Sequence, residues 1–375
     1  MLKRVRFSNF KMFRNETIID LVPCKSEILK KYNIQNNLLR GGIFYGSNAS
    51  GKTTALNAIS LLLDMLFKEF VFYEQLVCFF SDSNVANFEY VFDIDANEVI
   101  YSFSVKKDGS IVEESLILNE VELLKRVGNQ AITKLIINKE DQSVDSKLLY
   151  LRAINFNNGF SNFPILAKLI KFLSNSLYIN IYNDCNVIAF NQETYRDSNL
   201  ISYLDKNGPN EINQFFEKFD IPFRLNYQKI NLMGNNFFDV SFINMKTNCK
   251  VPLQFESYGN KLLVQLLPFI LKIKETGGMM LIDEFGGGLH NKLTELLINY
   301  LFKQTSNNQI FVVTHETNLL KTNIVRPDQV FIVDYNEDGS FISKASNHSP
   351  RESQNLEKMY LAGVFGGIPL YGETE

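Results

Sequence analysis

The sequence predicts an α/β fold that also contains an antiparallel β meander and an inserted, mainly helical subdomain. Three observations carry this prediction. A glycine-rich motif at 46–54 stands between a short apolar strand and a long amphipathic helix. After residue 250, helix-like and apolar strand-like segments alternate, which is typical of a parallel sheet. Between these regions, residues 87–118 alternate apolar and polar side chains with the period of two that β-strands have.

Local patterns place the individual elements along the chain. Strands are predicted at 2–10, 17–22, 43–45, 87–118, 225–245 with a turn at Gly234, 279–282, 309–313 and 329–334. Helices are predicted at 52–76, 211–219, 260–275 and 290–303, with a helix or turn at 316–321. The polar segment 23–40 is predicted to be a loop, and 119–225 to be mixed and mostly helical. The predicted units are an N-terminal α/β part (1–85), a middle segment (86–250) and a C-terminal α/β part (251–375).

Composition limits the classes of function. The chain has 375 residues, of which 45% are hydrophobic, and this is enough to bury at least one full core. A formal net charge of −3 excludes a strongly basic nucleic-acid coat. The four cysteines form no CxxC pair, which indicates a reducing compartment. With no signal-peptide pattern and no apolar run long enough to span a bilayer, we expect a cytoplasmic protein without membrane attachment.

The segment 46–54 fits the pattern GxxxxGK[ST] at every fixed position. Consecutive backbone N–H groups in such a loop curl around a diphosphate, and the next helix presents its positive N-terminal end to the same anion. We expect Lys52 to reach the β- and γ-phosphates and the Thr53 hydroxyl to coordinate Mg²⁺. The predicted nucleotide-binding residues are Gly46, Ser47, Asn48, Ala49, Ser50, Gly51, Lys52, Thr53 and Thr54.

Two carboxylates end the apolar strand predicted at 279–282. Asp283 is expected to hold Mg²⁺, and Glu284 is expected to take a proton from the attacking water. An acidic pair at the end of a strand is common by chance. Its position downstream of a phosphate-binding loop favours the functional interpretation.

Three further motifs flank the acidic pair. Ser257 and Gly259 precede a long predicted helix and are candidates for a second anion site. A structural alternative remains open, in which Ser257 only caps the helix and Gly259 only belongs to a loop. His315 follows a buried strand and can touch the γ-phosphate. The glycine loop 286–288 predicts a backbone that passes close to the opposite subunit or the nucleotide, or else a flexible loop.

The order of these motifs resembles that of the ABC-class ATPases, including the SMC and RecF heads. The order is the P-loop, then Ser257 and Gly259, then Asp283 and Glu284, then His315. More closely, the chain is similar to bacterial AAA-family, ABC-type ATP-binding proteins grouped with the OLD-family and abortive-infection ATPases of anti-phage defence. The likeness covers both ends and parts of the middle, through the segments 5–10, 45–54, 111–114, 256–261, 281–290, 314–320, 355–363 and 365–369.

The resemblance implies a P-loop ATPase head built from the two α/β parts, with ATP and Mg²⁺ as its ligands. It also implies a homodimer or higher oligomer in which two heads hold two ATP molecules between them. The P-loop of one subunit binds ATP, and Ser257 and Gly259 of the other close over the γ-phosphate. The state of the nucleotide then sets the state of the dimer. The catalytic residues implied are Lys52, Glu284 and His315.

The resemblance further suggests an ATPase that regulates a separately encoded effector, such as a nuclease or toxin. Two alternatives remain open: a DNA repair or maintenance ATPase of the RecF or SMC kind, and an assembly protein in which hydrolysis is slow or lost. Nucleic-acid binding is left open as well. A nuclease within this chain is not expected, because Asp93 and Asp95 lack a convincing metal-binding partner and are interpreted as solvated carboxylates.

This sequence departs from the family pattern at several positions. The glycines at 286–288 replace a polar pair that normally communicates across the dimer, which bears on coupling and on the rate of hydrolysis. Asn260 stands where Thr or Gln is more usual. Gln192 is a candidate for the glutamine that senses Mg²⁺ in the family. By analogy, Lys11 and Arg14 approach the adenine or the phosphates.

Overall fold

The computed structural model describes residues 1–69, 76–136, 142–182, 185–232, 235–303, 307–351 and 354–368. Residues 70–75 of the predicted helix 52–76 lie outside these ranges, as do the turn residue Gly234 and Pro369 of the segment 365–369. Among the described residues, no helix combines the length and the apolar composition needed to cross a bilayer.

The strands, in chain order, are β1 (Leu2–Ser8), β2 (Thr17–Asp20), β3 (Ile34–Gln35), β4 (Leu38–Leu39), β5 (Gly41–Tyr45), β6 (Val85–Ile94), β7 (Asn97–Lys106), β8 (Ile111–Leu118), β9 (Val121–Val127), β10 (Gln130–Thr133), β11 (Gln142–Ser143), β12 (Leu177–Asn180), β13 (Asn186–Ala189), β14 (Phe223–Leu232), β15 (Asn235–Asn244), β16 (Lys250–Pro252), β17 (Gly278–Asp283), β18 (Asn308–Val313), β19 (Val330–Asn336) and β20 (Gly339–Lys344). The α-helices are α1 (Lys30–Asn33), α2 (Lys52–Phe67), α3 (Tyr150–Asn157), α4 (Pro164–Ser174), α5 (Gln192–Tyr195), α6 (Leu200–Asn207), α7 (Asn210–Lys218), α8 (Tyr258–Thr276), α9 (Asn291–Phe302) and α10 (Leu356–Leu361). Short 3₁₀ helices lie at Leu253–Phe255, Thr317–Leu319, Pro327–Gln329 and Ala345–His348.

Two large sheets organise these elements. One is antiparallel, with its eight strands in the order β11-β10-β9-β8-β7-β6-β1-β2. The other has the order β13-β12-β17-β18-β5-β19-β20, in which the five inner strands are parallel and the two edge strands are antiparallel. The α/β class with an antiparallel meander is thereby confirmed, and α5–α7 and β14–β16 lie between β13 and α8 along the chain.

Helix α2 lies between the two sheets. Leu56 and Leu63 are buried in one core together with Phe7 of the antiparallel sheet and Phe311 of the parallel sheet. The other face of the parallel sheet forms a second core with α8 and α9. Because α2 is covered on both sides, the loop that precedes it is held by two sheets at once.

Helix α2 ends nine residues before the predicted boundary, and the prediction over 68–76 is wrong where the structure describes it. Lys68 has an extended backbone, and its N–H donates to the carbonyl of Asp64, which closes the last turn. Leu76 lies in an irregular segment, and its backbone carbonyl accepts a hydrogen bond from the N–H of Lys11.

Two other predictions need correction. The described residues 121–136 and 142–143, expected to be mostly helical, extend the meander through β9, β10 and β11, because a two-residue turn at 128–129 pairs Val127 with Gln130. The predicted loop at 23–40 contains α1 and the small β3–β4 sheet. In addition, β12 lies within the middle segment of the chain but pairs in parallel with β17 of the C-terminal part.

A buried ion pair joins the meander to α3. Glu114 and Arg126 are each 1% exposed. The Glu114 carboxylate accepts from the Tyr101 hydroxyl and from the backbone N–H groups of Tyr150 and Leu151, at 2.7 to 2.8 Å. Burial raises the pKa of Glu114, and the two backbone donors oppose this rise. The guanidinium of Arg126 donates to three backbone carbonyls besides contacting Glu114.

We expect Glu114→Ala to lower the free energy of unfolding by about 3–5 kcal/mol, because it leaves the buried guanidinium of Arg126 without its counter-charge. Urea unfolding followed by circular dichroism measures this loss. Glu113→Ala is the matched control, since its exposed side chain lies next along the same strand and its effect should stay within about 0.5 kcal/mol. Equal unfolding midpoints for the two variants would contradict a supporting role for Glu114.

Candidate nucleotide-binding site

The P-loop connects the buried strand β5 to α2. A Cβ atom at Gly46 would lie 2.2 Å from the carbonyl oxygen of Val333, so no side chain fits there. Ala49 and Gly51 have φ values of 62° and 103°, and these left-handed residues curl the loop back over the start of α2. The structure therefore forms the compact turn that the motif predicts.

The residues of this loop fit a phosphate group. Lys52 is 6% exposed, and its ammonium donates to the carbonyls of Gly46 and Ser47 at 3.1 and 2.8 Å. Burial lowers the pKa of Lys52, while the charges of Glu284 and Asp283 act in the opposite direction. The Ser50 hydroxyl is fully buried and has no hydrogen-bond partner among the described residues. Phosphate oxygens would supply acceptors for both groups.

Strand β17 brings Asp283 to the P-loop. The Thr53 hydroxyl donates to Asp283 Oδ1 at 3.1 Å. Asp283 is 2% exposed, and burial raises the pKa of its carboxyl, with Thr53 opposing the rise. A hydroxyl and a carboxylate are oxygen ligands that Mg²⁺ accepts, and substrate phosphates and water normally complete its shell. The pair thus fits the metal-binding role assigned to it by sequence.

Two residues that the sequence did not identify also contact Asp283. The Tyr178 hydroxyl and the Asn180 side-chain amide donate to Asp283 Oδ2 at 3.3 and 3.4 Å. Both lie on β12, where Asn180 pairs directly with Asp283 across the parallel ladder. Gln192, the family-based candidate for this region, instead begins the separate helix α5. The available signal was the alternation at 177–181, in which Tyr178 and Asn180 stand between the apolar residues Leu177, Ile179 and Ile181.

Glu284 and His315 follow neighbouring parallel strands. Glu284 has φ 58°, a left-handed conformation that is costly for a residue with a side chain. Thr314, next to His315, donates its hydroxyl to the carbonyl of Phe285 at 2.6 Å and so ties the two strand ends together. Partial desolvation lowers the pKa of His315, and the nearby charge of Lys52 lowers it further. His315 is therefore a neutral imidazole at neutral pH.

The Ser257 hydroxyl accepts from the N–H of Asn260 at 3.3 Å and caps α8. The capping role that the sequence left open is thus present, and the side chain stays exposed at the helix end. A Cβ atom at Gly259 would lie 2.7 Å from the carbonyl oxygen of Gly288. The start of α8 therefore rests on the glycine loop 286–288 of its own chain.

The glycine loop 286–288 packs against side chains of the same chain. Cβ atoms at Gly286 and Gly288 would lie 2.3 Å from Glu316 Cγ and 2.4 Å from Tyr258 Cδ1. The close approach that the sequence predicts for these glycines is found within the chain itself, against these two side chains.

The segment 11–14 lies beside the P-loop. The N–H of Ser340 donates to the carbonyl of Met12 at 2.8 Å, and a Cβ at Gly51 would contact both Ser340 and the Phe13 ring. Burial lowers the pKa of Lys11, and Asp64 acts against this. The loop that carries Lys11 and Arg14 is therefore next to the start of α2.

The fold is similar to that of solved SMC heads. An SMC head bound to the C-terminal winged-helix domain of ScpA matches with a TM-score of 0.55 and 14% identity over 92% of this chain and 97% of that chain. The SMC head domain from Thermotoga maritima matches with a TM-score of 0.50 and 15% identity over 92% of this chain and 98% of that chain. These likenesses show the P-loop ATPase head fold. A comparison with curated proteins found no match.

A family described as an AAA domain, putative AbiEii toxin, type IV toxin–antitoxin system, matches residues 43–321. The match begins in β5, includes the P-loop, the acidic pair and His315, and ends just after the 3₁₀ helix Thr317–Leu319. It covers most of the chain, so this protein belongs to that family of AAA domains.

Proposed function

We propose that this protein is an ATPase that binds ATP with Mg²⁺ at the P-loop and hydrolyses it to switch a dimeric assembly. The observation that carries this proposal is the hydrogen bond between Thr53 and Asp283, which joins the P-loop to the acidic end of β17. Lys52 and His315 influence one another electrostatically at the same sheet edge. Ligands in open α/β sheets bind at the carboxyl ends of strands, as here.

Each residue then has a distinct task. Lys52 exchanges its two loop carbonyls for phosphate oxygens, and Thr53 and Asp283 would hold the metal ion. Bound Mg²⁺ supplies charge neutralisation of the phosphate oxygens. Glu284 accepts the proton of the attacking water, and neutral His315 orients that water beside the γ-phosphate. The remaining loop residues of 46–54 bind phosphate through backbone amides.

The proposed dimer places ATP between the P-loop of one protomer and Ser257 and Gly259 of the other. Exposure of the start of α8 supports this arrangement, since Tyr258 is 49% exposed and the preceding Phe255 is 74% exposed. We further propose that the protein is a cytoplasmic ATPase that regulates a separate toxin or nuclease in phage defence. The support for this part of the proposal is a family description that names a putative AbiEii toxin of a type IV toxin–antitoxin system. Within the described residues, no group of three or more Asp, Glu, His or Cys side chains forms a metal cluster that a nuclease could use.

A DNA-maintenance role is less well supported. A cavity of about 440 Å³ on the outer face of the antiparallel sheet is lined by Arg6 and Lys125 but also by Glu89, Glu113 and Glu122. Such mixed charge does not match a phosphate backbone. Salt-dependent binding to duplex DNA, measured with and without ATP, distinguishes this alternative from the proposed role.

We expect Glu284→Gln to reduce steady-state phosphate release by about 10²- to 10⁴-fold, because a positioned base contributes this much. The same variant should elute as a more stable dimer with ATP and Mg²⁺ in size-exclusion chromatography. Glu337→Gln, which neutralises an exposed carboxylate in the β19–β20 turn, is the control and should behave as wild type. Equal rates in wild type and Glu284→Gln would favour a structural role for ATP.

Mixing two inactive variants tests whether the site is shared between protomers. Lys52→Ala lacks a working P-loop, and Ser257→Arg blocks the start of α8. Equal mixing should restore about a quarter of wild-type turnover, because half of the randomly formed symmetric dimers are mixed and each of these has one intact site. A mixture that stays inactive, although both variants fold and exchange subunits, contradicts the shared site.

The imidazole of His315 should titrate below its ordinary pKa of 6.5 in the nucleotide-free protein. Desolvation and the charge of Lys52 both disfavour the protonated ring, so protonation needs a lower pH than usual. The chain has three histidines, and a proton NMR titration compared with His315→Gln assigns the relevant resonance. A midpoint at or above 6.5 would contradict the combined effect of desolvation and the Lys52 charge on this ring.

A further inference from the structure

The segment 355–368 packs against the end of β5 and the first residue of the P-loop. It contains α10 and then a turn in which Gly366 and Gly367 have φ values of 77° and 70°. Leu356, Tyr360 and Phe365 are 1%, 7% and 4% exposed and join the second core. The family match ends well before this segment, and no role follows for it from the motifs.

The glycine turn of this segment is in backbone contact with the P-loop. A Cβ atom at Gly367 would lie 2.7 Å from Ile332 Cγ2 and 3.3 Å from Gly46 Cα. The N–H of Gly367 donates to Asp334 Oδ2 at 2.8 Å, which fixes the turn at the end of β19. Gly46 is thereby enclosed between the carbonyl of Val333 and the turn.

Two tyrosines extend this contact to the strand before the P-loop. The rings of Tyr45 and Tyr360 pack with centroids 5.5 Å apart. The Tyr360 hydroxyl donates to the carbonyl of Gly367 at 3.1 Å and closes the turn. The Tyr45 hydroxyl donates to the carbonyl of Glu316 at 2.9 Å. Burial raises the pKa of both phenols, so both remain donors.

Helix α10 reaches the segment after His315 as well. The Thr317 hydroxyl donates to Glu357 Oε1 at 2.9 Å. The segment 355–368 therefore touches the residue that begins the P-loop and the residues that follow the histidine.

We propose that the segment 355–368 is a positioning element of the nucleotide site, with Gly367 and Tyr360 as its positioning residues, and that its docking is coupled to nucleotide binding. The inference rests on the proposed function, because it concerns the affinity of the same site. Gly46 supplies one of the carbonyls that hold Lys52, so displacement of Gly46 moves both the lysine and the adjoining loop amides. A coupling of this kind is reciprocal: docking strengthens nucleotide binding, and nucleotide strengthens docking by the same factor.

The sharpest test compares two glycines of the same segment. Gly363 and Gly367 have nearly equal φ values of 75° and 70°, so alanine imposes a similar backbone strain at each. A Cβ at Gly363 meets nothing within 4 Å, whereas a Cβ at Gly367 meets Ile332 and Gly46. Only Gly367→Ala pushes the segment away from the P-loop.

The dissociation constant for a fluorescent ATP analogue with Mg²⁺ gives the readout. We expect Gly367→Ala to weaken binding by about fivefold or more, the lower end of typical coupling between sites. Gly363→Ala should bind within about twofold of wild type. Equal affinity in the two variants overturns the coupling. A wild-type protein that binds no nucleotide overturns the proposed function instead, so the two failures are distinguishable.

Hydrogen exchange of the unaltered protein covers the case in which Gly367→Ala does not fold. Adding ATP and Mg²⁺ should slow amide exchange in the segment 355–368, and Lys52→Ala, which lacks the phosphate ligand, should show no slowing. Tyr360→Phe keeps the ring but loses the hydroxyl, and should reduce the nucleotide-dependent protection. Unchanged exchange in wild type under saturating nucleotide refutes the proposal, since a merely structural segment would give that result.

Discussion

The main constraint on this structure comes from two buried ionisable side chains, Lys52 and Asp283. Among the described residues, their direct hydrogen-bond partners are neutral groups. Burial shifts the pKa of Lys52 downward and that of Asp283 upward, toward the uncharged form of each. Within the described residues, Lys52 bonds to backbone carbonyls, and Asp283 bonds to two hydroxyls and an amide. Keeping ionised groups in such surroundings costs several kcal/mol each. A polyphosphate with a divalent cation, the ligand that we propose for this site, would offer opposite charge to both groups.

The fold can keep Lys52 and Asp283 buried because the elements on both sides of the P-loop are fixed. Helix α2 is packed between the antiparallel and parallel sheets, and β5 is an inner strand of the parallel sheet. The loop between them has little freedom to relax and move the Lys52 ammonium into solvent, where its charge would be hydrated. The left-handed Glu284 illustrates the same rigidity, since its backbone conformation persists only where the surrounding strands determine it.

Local chemistry explains what the sequence could predict. The sequence predicted the P-loop, the acidic pair and His315 because each of them directly follows an apolar strand and is recognisable from consecutive residues alone. The contacts of Tyr178 and Asn180 with Asp283 were missed because the pairing of β12 with β17 is non-local and leaves no motif. The strands at 121–143 were missed because the turn at Gly128 was not recognised between short apolar runs. For the glycine loop 286–288, sequence indicated a close approach but not its neighbour, since any backbone or side chain could require glycine there.

The same limit applies to the glycines of the segment 355–368, because the sequence alone does not show which of them has a close neighbour. A glycine needed for a turn alone can face open space, as Gly363 does, whereas Gly367 is closely approached by Ile332 and lies beside Gly46. The Gly367 turn and the P-loop come from distant parts of the chain, and both lie against β19: Gly46 lies against the carbonyl of Val333, and the N–H of Gly367 donates to Asp334. Strand β19 also pairs in parallel with β5, the strand that leads into the P-loop. The position of the P-loop therefore depends on a strand far along the chain as well as on the residues of its own motif.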